Sequence, residues 1–470
     1  MGLLLSDAFA KTAPFLALST LLMFFSFSHD DDIDALYYKS IAANIRVTGD
    51  WFRLVWPQLP DLTFNDHIAP GFWLIALSEQ WLGDIGTRLF YSALTIGTFV
   101  LLFQLAKRFA LGRSAILAVW VAVFTENFVR MQAQPRLDPP FLLLWMGSLF
   151  VAASFSPVLA LASGLLAGSS ALFRAPPSLA LLILVPALVL VRRRLEAKRL
   201  TPRDAVALLV FVLAFLTPLA LFQIADSHFS RGDAIHRYFF SQVLPSLQGT
   251  RSDGHNSHFA PLRSIAGRFW PGLLFCLAAV WFMIKSWKDV PLFLRYNLLT
   301  IALVVLGFSL GRRHVFTHIW PAYPALFMIA GWGWERTNEF IAALRSKGTR
   351  AATLLPALGW ASMIPFGALL MSIAPRCDVD VAKKIVESPS ICEVVLIATA
   401  DDSKDWFTAN RVVDHCRKSI LFAPSFLVPI DPRINTLCTP LAFASNRSVP
   451  PTSWKLLSRG SELSLYELSR

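Results

Sequence analysis

Along the 470-residue chain, hydrophobic positions gather into long apolar runs joined by short polar connectors. The first run, Phe9 to Phe27, is long enough to cross the hydrocarbon core of a bilayer. It leads directly into an acid-rich stretch containing Asp30, Asp31, Asp32 and Asp34. The next segment predicts an amphipathic helix. Asp34 stands at its start and Tyr38 follows one turn later on the same side. Tyr37, Ile41 and Ile45 form an apolar stripe opposite Lys39 and Arg46, and Gly49-Asp50-Trp51 stops the helix. Such a helix lies in the membrane interface. The apolar part of 70–82 is short and carries Glu79, which predicts a second interfacial helix rather than a span. Spans are predicted near 87–106, 114–129, 139–155, 157–172, 176–191, 205–225, 269–285, 292–310, 318–334 and 352–372, about eleven with the first.

Composition agrees: 55% of residues are hydrophobic, 13% aromatic and only 16% charged, which excludes a soluble multidomain protein and predicts an all-α polytopic membrane protein. A net charge of +12 would suggest nucleic acid in a soluble chain. Here Lys and Arg cluster in the connectors between apolar runs, so no nucleic-acid partner is expected. No small-residue cleavage site lies before the acidic cluster, so the first run reads as a span and not as a cleavable signal peptide.

Each span flips the side of its connector. With 70–82 left uncounted, the basic connectors from Lys107, Val191 and Lys285 and the Arg336 to Arg350 segment share the side of the N-terminus, which the positive-inside rule makes cytoplasmic. The loop 29–86, the connectors holding Arg136, Arg174 and Arg312, the loop 226–267 and the tail then all lie outside. This pattern fits a bacterial inner membrane with a periplasmic site.

Cys276 falls within a predicted span and reads as a small buried apolar residue. Cys377, Cys392, Cys416 and Cys438 all belong to the tail, where two disulfides of undetermined pairing are expected, a zinc site including His415 being the alternative. The tail reads as a small α/β domain with strands from Val394 and Ile420 around a helix from Asp405 to Cys416. The expected domains are a transmembrane catalytic domain, 1–373, and an extracytoplasmic domain, 374–470.

Five pieces in order resemble one family: D-A-x-Y-Y with G-D-W (Asp34, Tyr37, Tyr38, Gly49, Asp50, Trp51), H-x-A-P-G-F-W-L (from His67), R-L-F-Y-S-A-L (from Arg88), R-L-D-P-P (from Arg136) and W-P-A-Y-P-A-L (from Trp320). They resemble the bacterial relatives of protein O-mannosyltransferases, which include the aminoarabinose transferase of lipid A and the galacturonosyltransferases of lipopolysaccharide core. The resemblance implies a GT-C fold and transfer of a sugar from a polyprenyl-phosphate donor to a lipid or glycan acceptor at the outer membrane face, with membrane lipids around it. It places the family's two acidic positions at Asp34 and Asp138 and a tyrosine at Tyr38. Ala35 stands where the family often has Glu, and His67-Ile68-Ala69 replaces Lys-Pro-Pro. Use of a divalent metal therefore stays open.

The chemistry asks for the same residue types. Displacing a prenyl phosphate from an anomeric carbon needs a carboxylate to take the acceptor proton and cations to stabilise the leaving phosphate. Asp34 is the candidate base and Asp138 the second catalytic carboxylate. Arg136, Arg174, Arg312, Arg313, His314 and His67 are candidate phosphate or substrate partners, with Tyr38 and His258 beside them. Each has an ordinary alternative: Asp34 and Asp138 as helix caps, Arg174 as a snorkelling helix-end side chain, and the loop histidines as solvated groups. Two other functions compete, a lipid-linked saccharide transporter or flippase and a noncatalytic membrane scaffold. Against the first, predicted spans carry almost no central ionisable residues.

Overall fold

The computed structural model describes residues 2–28, 33–56, 59–64, 67–248, 255–256, 258–310, 313–314 and 316–346, and the strands 393–398, 419–424, 441–445, 455–459 and 463–467. By compactness the chain forms two units. One comprises Met1–Phe27, Ile45–Leu54 and Thr63–Ser372, and the other Ser28–Asn44, Val55–Leu62 and Ile373–Arg470.

The first helices are α1 (Gly2–Ser28), α2 (Ile33–Thr48) and α3 (Pro70–Arg108). In α2, Ala35, Tyr38, Ile41, Ala42 and Ile45 are buried, so Tyr38 belongs to the apolar stripe predicted for Tyr37, Ile41 and Ile45. The helix ends as predicted. Gly49 adopts a φ of +72° and its N–H donates to the Ile45 carbonyl at 2.9 Å, closing the helix with a residue that needs no Cβ. The Asp50 carboxylate then accepts from the N–H groups of Phe52 (3.2 Å) and Arg53 (2.9 Å).

Helix α3 has a break inside it. Gly83 sits at φ 68°, ψ −176°, outside the helical region, and separates the predicted interfacial segment from the predicted span. Glu79, read as an interruption of the apolar run, has a partner: Arg46 Nη2 lies 2.9 Å from its Oε2.

Helices α4 (Gly112–Phe124) and α5 (Glu126–Gln132) meet at 83° at Thr125, so the segment predicted as one span at 114–129 is not a continuous helix. Then come α6 (Asp138–Ala152), α7 (Pro157–Ala171), α8 (Ala175–Ser178), α9 (Leu181–Leu195) and α10 (Pro202–Phe229). After the short α11 (Ala234–Tyr238) and α12 (Leu244–Gln248), α13 (Ala260–Arg268) and α14 (Gly272–Lys285) form a second bent pair, at 111°. The helical part closes with α15 (Leu292–Leu310) and α16 (Tyr323–Ser346). Among the described residues four helices are long and apolar enough to cross a membrane, or up to six with each bent pair counted as one span. The predicted spans at 139–155 and 157–172 correspond to helices of 15 residues each, which is why length alone does not count them. The span predicted at 352–372 lies outside the described residues.

Helix α10 shows how these helices divide their surfaces. Ala207, Phe211, Ala214, Phe215 and Phe222 are buried, whereas Val206, Leu209, Leu213, Leu216, Leu221 and Ile224 are exposed. A water-soluble helix rarely shows that much apolar surface; a lipid-facing one does. On the buried side α7 approaches closely. A Cβ on Gly164 would collide with the Phe211 carbonyl oxygen, and one on Gly168 with the Phe215 carbonyl oxygen. Small residues four apart let the two backbones come together.

Aromatic residues tie the core. Phe128 of α5 packs on Trp320 (centroids 5.3 Å apart), Tyr323 (5.4 Å) and Phe327 (5.0 Å), and Phe269 packs on Tyr323 (5.4 Å). The W-P-A-Y-P-A-L piece thus contributes its two largest side chains to packing. Cys276 is buried as expected.

The short strands β1 (Val55–Trp56), β2 (Leu59–Thr63), β3 (His255–Asn256) and β4 (Arg313–His314) come earlier in the chain; in the second unit, the described tail strands β5 (Glu393–Ala398), β6 (Ser419–Pro424), β7 (Leu441–Ser445), β8 (Lys455–Arg459) and β9 (Leu463–Glu467) form one sheet in the order β6-β5-β7-β9-β8. β5 pairs in parallel with β6 and β7, and β9 pairs antiparallel with β7 and β8. The two predicted strands are present; the last three were not foreseen. The predicted helix 405–416 and the four tail cysteines lie outside the described residues.

Candidate active site

Two short motifs, each ending in Pro-Pro, build the centre of the site. In Arg136-Leu137-Asp138-Pro139-Pro140 the prolines open α6, where the missing N–H is no loss, and Asp138 occupies the first turn, near the helix's positive end. In Arg174-Ala175-Pro176-Pro177 the prolines open α8, and Arg174 is its N-cap residue. The Arg174 backbone is held on both sides: its N–H donates to the Ser170 carbonyl at 3.0 Å, and its carbonyl accepts from Ser178 Oγ at 2.9 Å. Ser170 and Ser178 hydroxyls are themselves 2.8 Å apart.

These turns bring three charged side chains together inside the protein. Arg174 Nη2 donates to Asp138 Oδ2 at 3.0 Å, and Arg174 Nε lies 2.6 Å from Oδ1. Arg136 Nε donates to the same Oδ2 at 3.3 Å. The side chains of Arg136 and Asp138 are 0% exposed and that of Arg174 is 6% exposed. One carboxylate thus fixes two guanidinium groups. Arg136 also places Nη1 3.6 Å from the Met131 sulfur.

The other predicted residues are dispersed. The His67 ring sits 6.4 Å from Phe64 and Phe72 and stacks at 6.5 Å on Tyr238. It helps line a small recess with Phe52, Leu54, Ile68, Ala69, Ala234 and Arg237. His258 is exposed, and its Nδ1 donates to the Ser309 carbonyl at 2.7 Å. Arg313 and His314 form β4, which pairs antiparallel with β3 (His255–Asn256), His314 opposite His255 and Arg313 opposite Asn256. The backbone therefore joins two segments that the sequence placed on one face. Arg312 lies outside the described residues. Asp34, half-buried, and Tyr38, buried, belong to the second unit and are described only there.

Several buried polar groups were missed from the sequence. Asp226 is fully buried near the end of α10, its Oδ2 accepting from Ala234 N–H at 2.9 Å. The half-buried Glu126 and Arg130 pair at 3.2 Å. Thr87, Tyr91 and Gln132 are fully buried. The available signal was weak: Thr87, Tyr91 and Thr95 recur every fourth residue in an apolar run. Among the described residues no three His, Cys, Asp or Glu side chains gather as metal ligands.

No protein-family model and no curated protein matches the chain. Among solved structures it is similar to the aminoarabinose transferase ArnT from Cupriavidus metallidurans bound to undecaprenyl phosphate and, equally, to the apo form of that protein. In both cases the TM-score is 0.62, with 15% identity over 98% of each chain. The apo oligosaccharyltransferase of Archaeoglobus fulgidus gives a TM-score of 0.50 with 10% identity, over 89% of this chain and 65% of that one. The fold is the GT-C fold, as the resemblance in the sequence implied.

Proposed function

We propose that the protein is a GT-C glycosyltransferase that moves a sugar from a polyprenyl-phosphate donor to a lipid or glycan acceptor. The observation that carries this reading is the buried Arg136–Asp138–Arg174 cluster, in which one carboxylate engages two guanidinium groups. Such a group holds guanidinium groups in fixed positions away from water, where stabilising a leaving phosphate is most effective. ArnT, which shares the fold across nearly the whole chain, has been captured with undecaprenyl phosphate.

In the proposed reaction the acceptor hydroxyl oxygen attacks the anomeric carbon, the bond from that carbon to the phosphate oxygen breaks, and the polyprenyl phosphate departs with the bonding electrons. The acceptor proton goes to a carboxylate. Asp138 is engaged by two guanidinium groups and suits positioning them. Asp34, the family's first acid by sequence, receives the role of base. Arg174 and Arg136 bind the phosphate; His67, His258, Arg312, Arg313, His314 and Tyr38 remain candidate substrate contacts. The same reading puts the protein in a bacterial inner membrane with the site facing the periplasm, acting on an acceptor such as lipid A or lipopolysaccharide core.

The test is sugar transfer from labelled polyprenyl-phosphate sugars by purified wild type and Asp34→Asn at matched expression and melting temperature. Loss of transfer with retained donor binding is expected for the variant. Equal rates would remove Asp34 from the mechanism, and a wild type that neither binds nor consumes such donors would end the reading altogether.

A further inference from the structure

Four of the buried polar atoms that the mechanism does not use lie on two touching helices. Past the Gly83 break, Thr87, Tyr91 and Thr95 stand on one face of α3, one helical turn apart, and all three are buried. That face meets the end of α5: Thr95 Oγ1 donates to the Gln132 carbonyl at 3.1 Å. Thr87 Oγ1, Tyr91 Oη, Gln132 Oε1 and Gln132 Nε2 have no hydrogen-bond partner among the described residues, although no solvent reaches them. Buried hydroxyls and amides are satisfied in nearly all folded proteins, so a group of them without partners on two touching elements marks a place where something else supplies the bonds.

Their chemistry narrows what that is. Two hydroxyls and a carboxamide offer both donors and acceptors without charge, which matches the mixed donor and acceptor character of sugar hydroxyls, whereas the charge a phosphate prefers lies on the neighbouring arginines. Their position narrows it further. Met131, next to Gln132 in the chain, lies against the Arg136 guanidinium, and Asp138 with Arg174 follows directly. In a polyprenyl-phosphate sugar the ring is attached to the phosphate through one oxygen, so a phosphate on the arginines brings the ring beside them.

We propose that Thr87, Tyr91 and Gln132 form an uncharged subsite for the sugar hydroxyls of the lipid-linked donor. The proposal rests on the glycosyltransferase reading, because it takes the neighbouring arginines as the phosphate site. Its physical content is a division of labour: the arginines hold what all donors share, and the neutral groups sense which sugar is attached. A site built to hydrogen-bond a hydroxyl discriminates strongly against a ligand lacking it, since its own polar groups are then left unpaired.

The experiment compares binding of undecaprenyl phosphate with that of undecaprenyl phosphate carrying glucose, galactose, mannose, galacturonic acid, arabinose or 4-amino-4-deoxyarabinose, by native mass spectrometry of the detergent-purified full chain. Wild type should bind at least one glycosylated lipid about tenfold more tightly than undecaprenyl phosphate. Thr87→Val, Tyr91→Phe and Gln132→Leu should bring that ratio close to one while leaving affinity for undecaprenyl phosphate unchanged. These near-isosteric changes remove atoms that have no partner in the unliganded protein, so its melting temperature should hold or rise. A lower melting temperature in all three would mark a structural, water-filled cluster and overturn the proposal. So would an unchanged ratio in the variants, or a wild type that binds undecaprenyl phosphate but gains nothing from any sugar; in both cases the glycosyltransferase reading survives. A wild type that binds none of these lipids overturns that reading and the subsite with it.

Discussion

Arg174 meets Asp138 along one edge of its guanidinium, with Nη2 donating to Oδ2 at 3.0 Å and Nε 2.6 Å from Oδ1. Because Arg136 also donates to Oδ2, neutralising the carboxylate takes the same anionic partner from two buried guanidinium groups at once. Asp138→Asn should therefore destabilise the protein by about 3–5 kcal/mol, the usual cost of breaking a buried ion pair from one side. Arg174→Met leaves Asp138 still paired with Arg136 and should cost less. Melting temperatures of the two variants in detergent check the order; a milder effect for Asp138→Asn would mean that the carboxylate does not hold the cluster.

The contact between α7 and α10 depends on the absence of side chains at Gly164 and Gly168. Gly168→Leu must push α7 away from the Phe215 backbone, and overpacking of this kind typically costs about 1–3 kcal/mol. Reduced melting temperature and lower yield from membranes are expected. Val158→Leu, at an exposed position of the same helix, serves as the control and should change neither.

Arg46 joins the end of α2 to the segment ahead of Gly83 through Glu79, whose side chain is only 8% exposed. Arg46 is 31% exposed, so solvent screens the pair and a double-mutant cycle on Arg46→Ala and Glu79→Gln should give a coupling of about 1 kcal/mol or less. Raising the salt concentration should shrink it further. A salt-independent coupling would point to shape and packing in place of charge.

The proposed sidedness has a direct assay. Lys198→Cys should be protected from an impermeant thiol reagent in intact spheroplasts, and Arg313→Cys should be labelled. The reverse pattern would put the basic connectors outside and dismantle the periplasmic assignment.

Much of this architecture was legible because bilayer-facing helices announce themselves by apolar length, and because turn chemistry is local. Gly49-Asp50 as a helix stop and the two Pro-Pro helix starts follow from backbone rules that hold in any protein. Breaks inside helices were harder. Nothing in the residues around Thr125 announces an 83° bend in advance. For the site, sequence named Arg136, Asp138 and Arg174 singly, and only the fold shows that one carboxylate holds both arginines. Buried polar residues such as Asp226 and Gln132 escaped notice because their type matches an ordinary surface residue and burial is a property of the fold. The last three tail strands escaped because short runs of mixed residues carry little period-two signal.

The break at Gly83 also has a bearing on how crossings of the bilayer are counted. An uninterrupted helix of the 39 residues in α3 would be about 58 Å long, nearly twice the thickness of the hydrocarbon core. One glycine with a left-handed φ divides that rod into a shorter arm and a crossing segment. A hydropathy profile shows one apolar stretch where the backbone has two pieces, so apolar length alone does not give the number of crossings here.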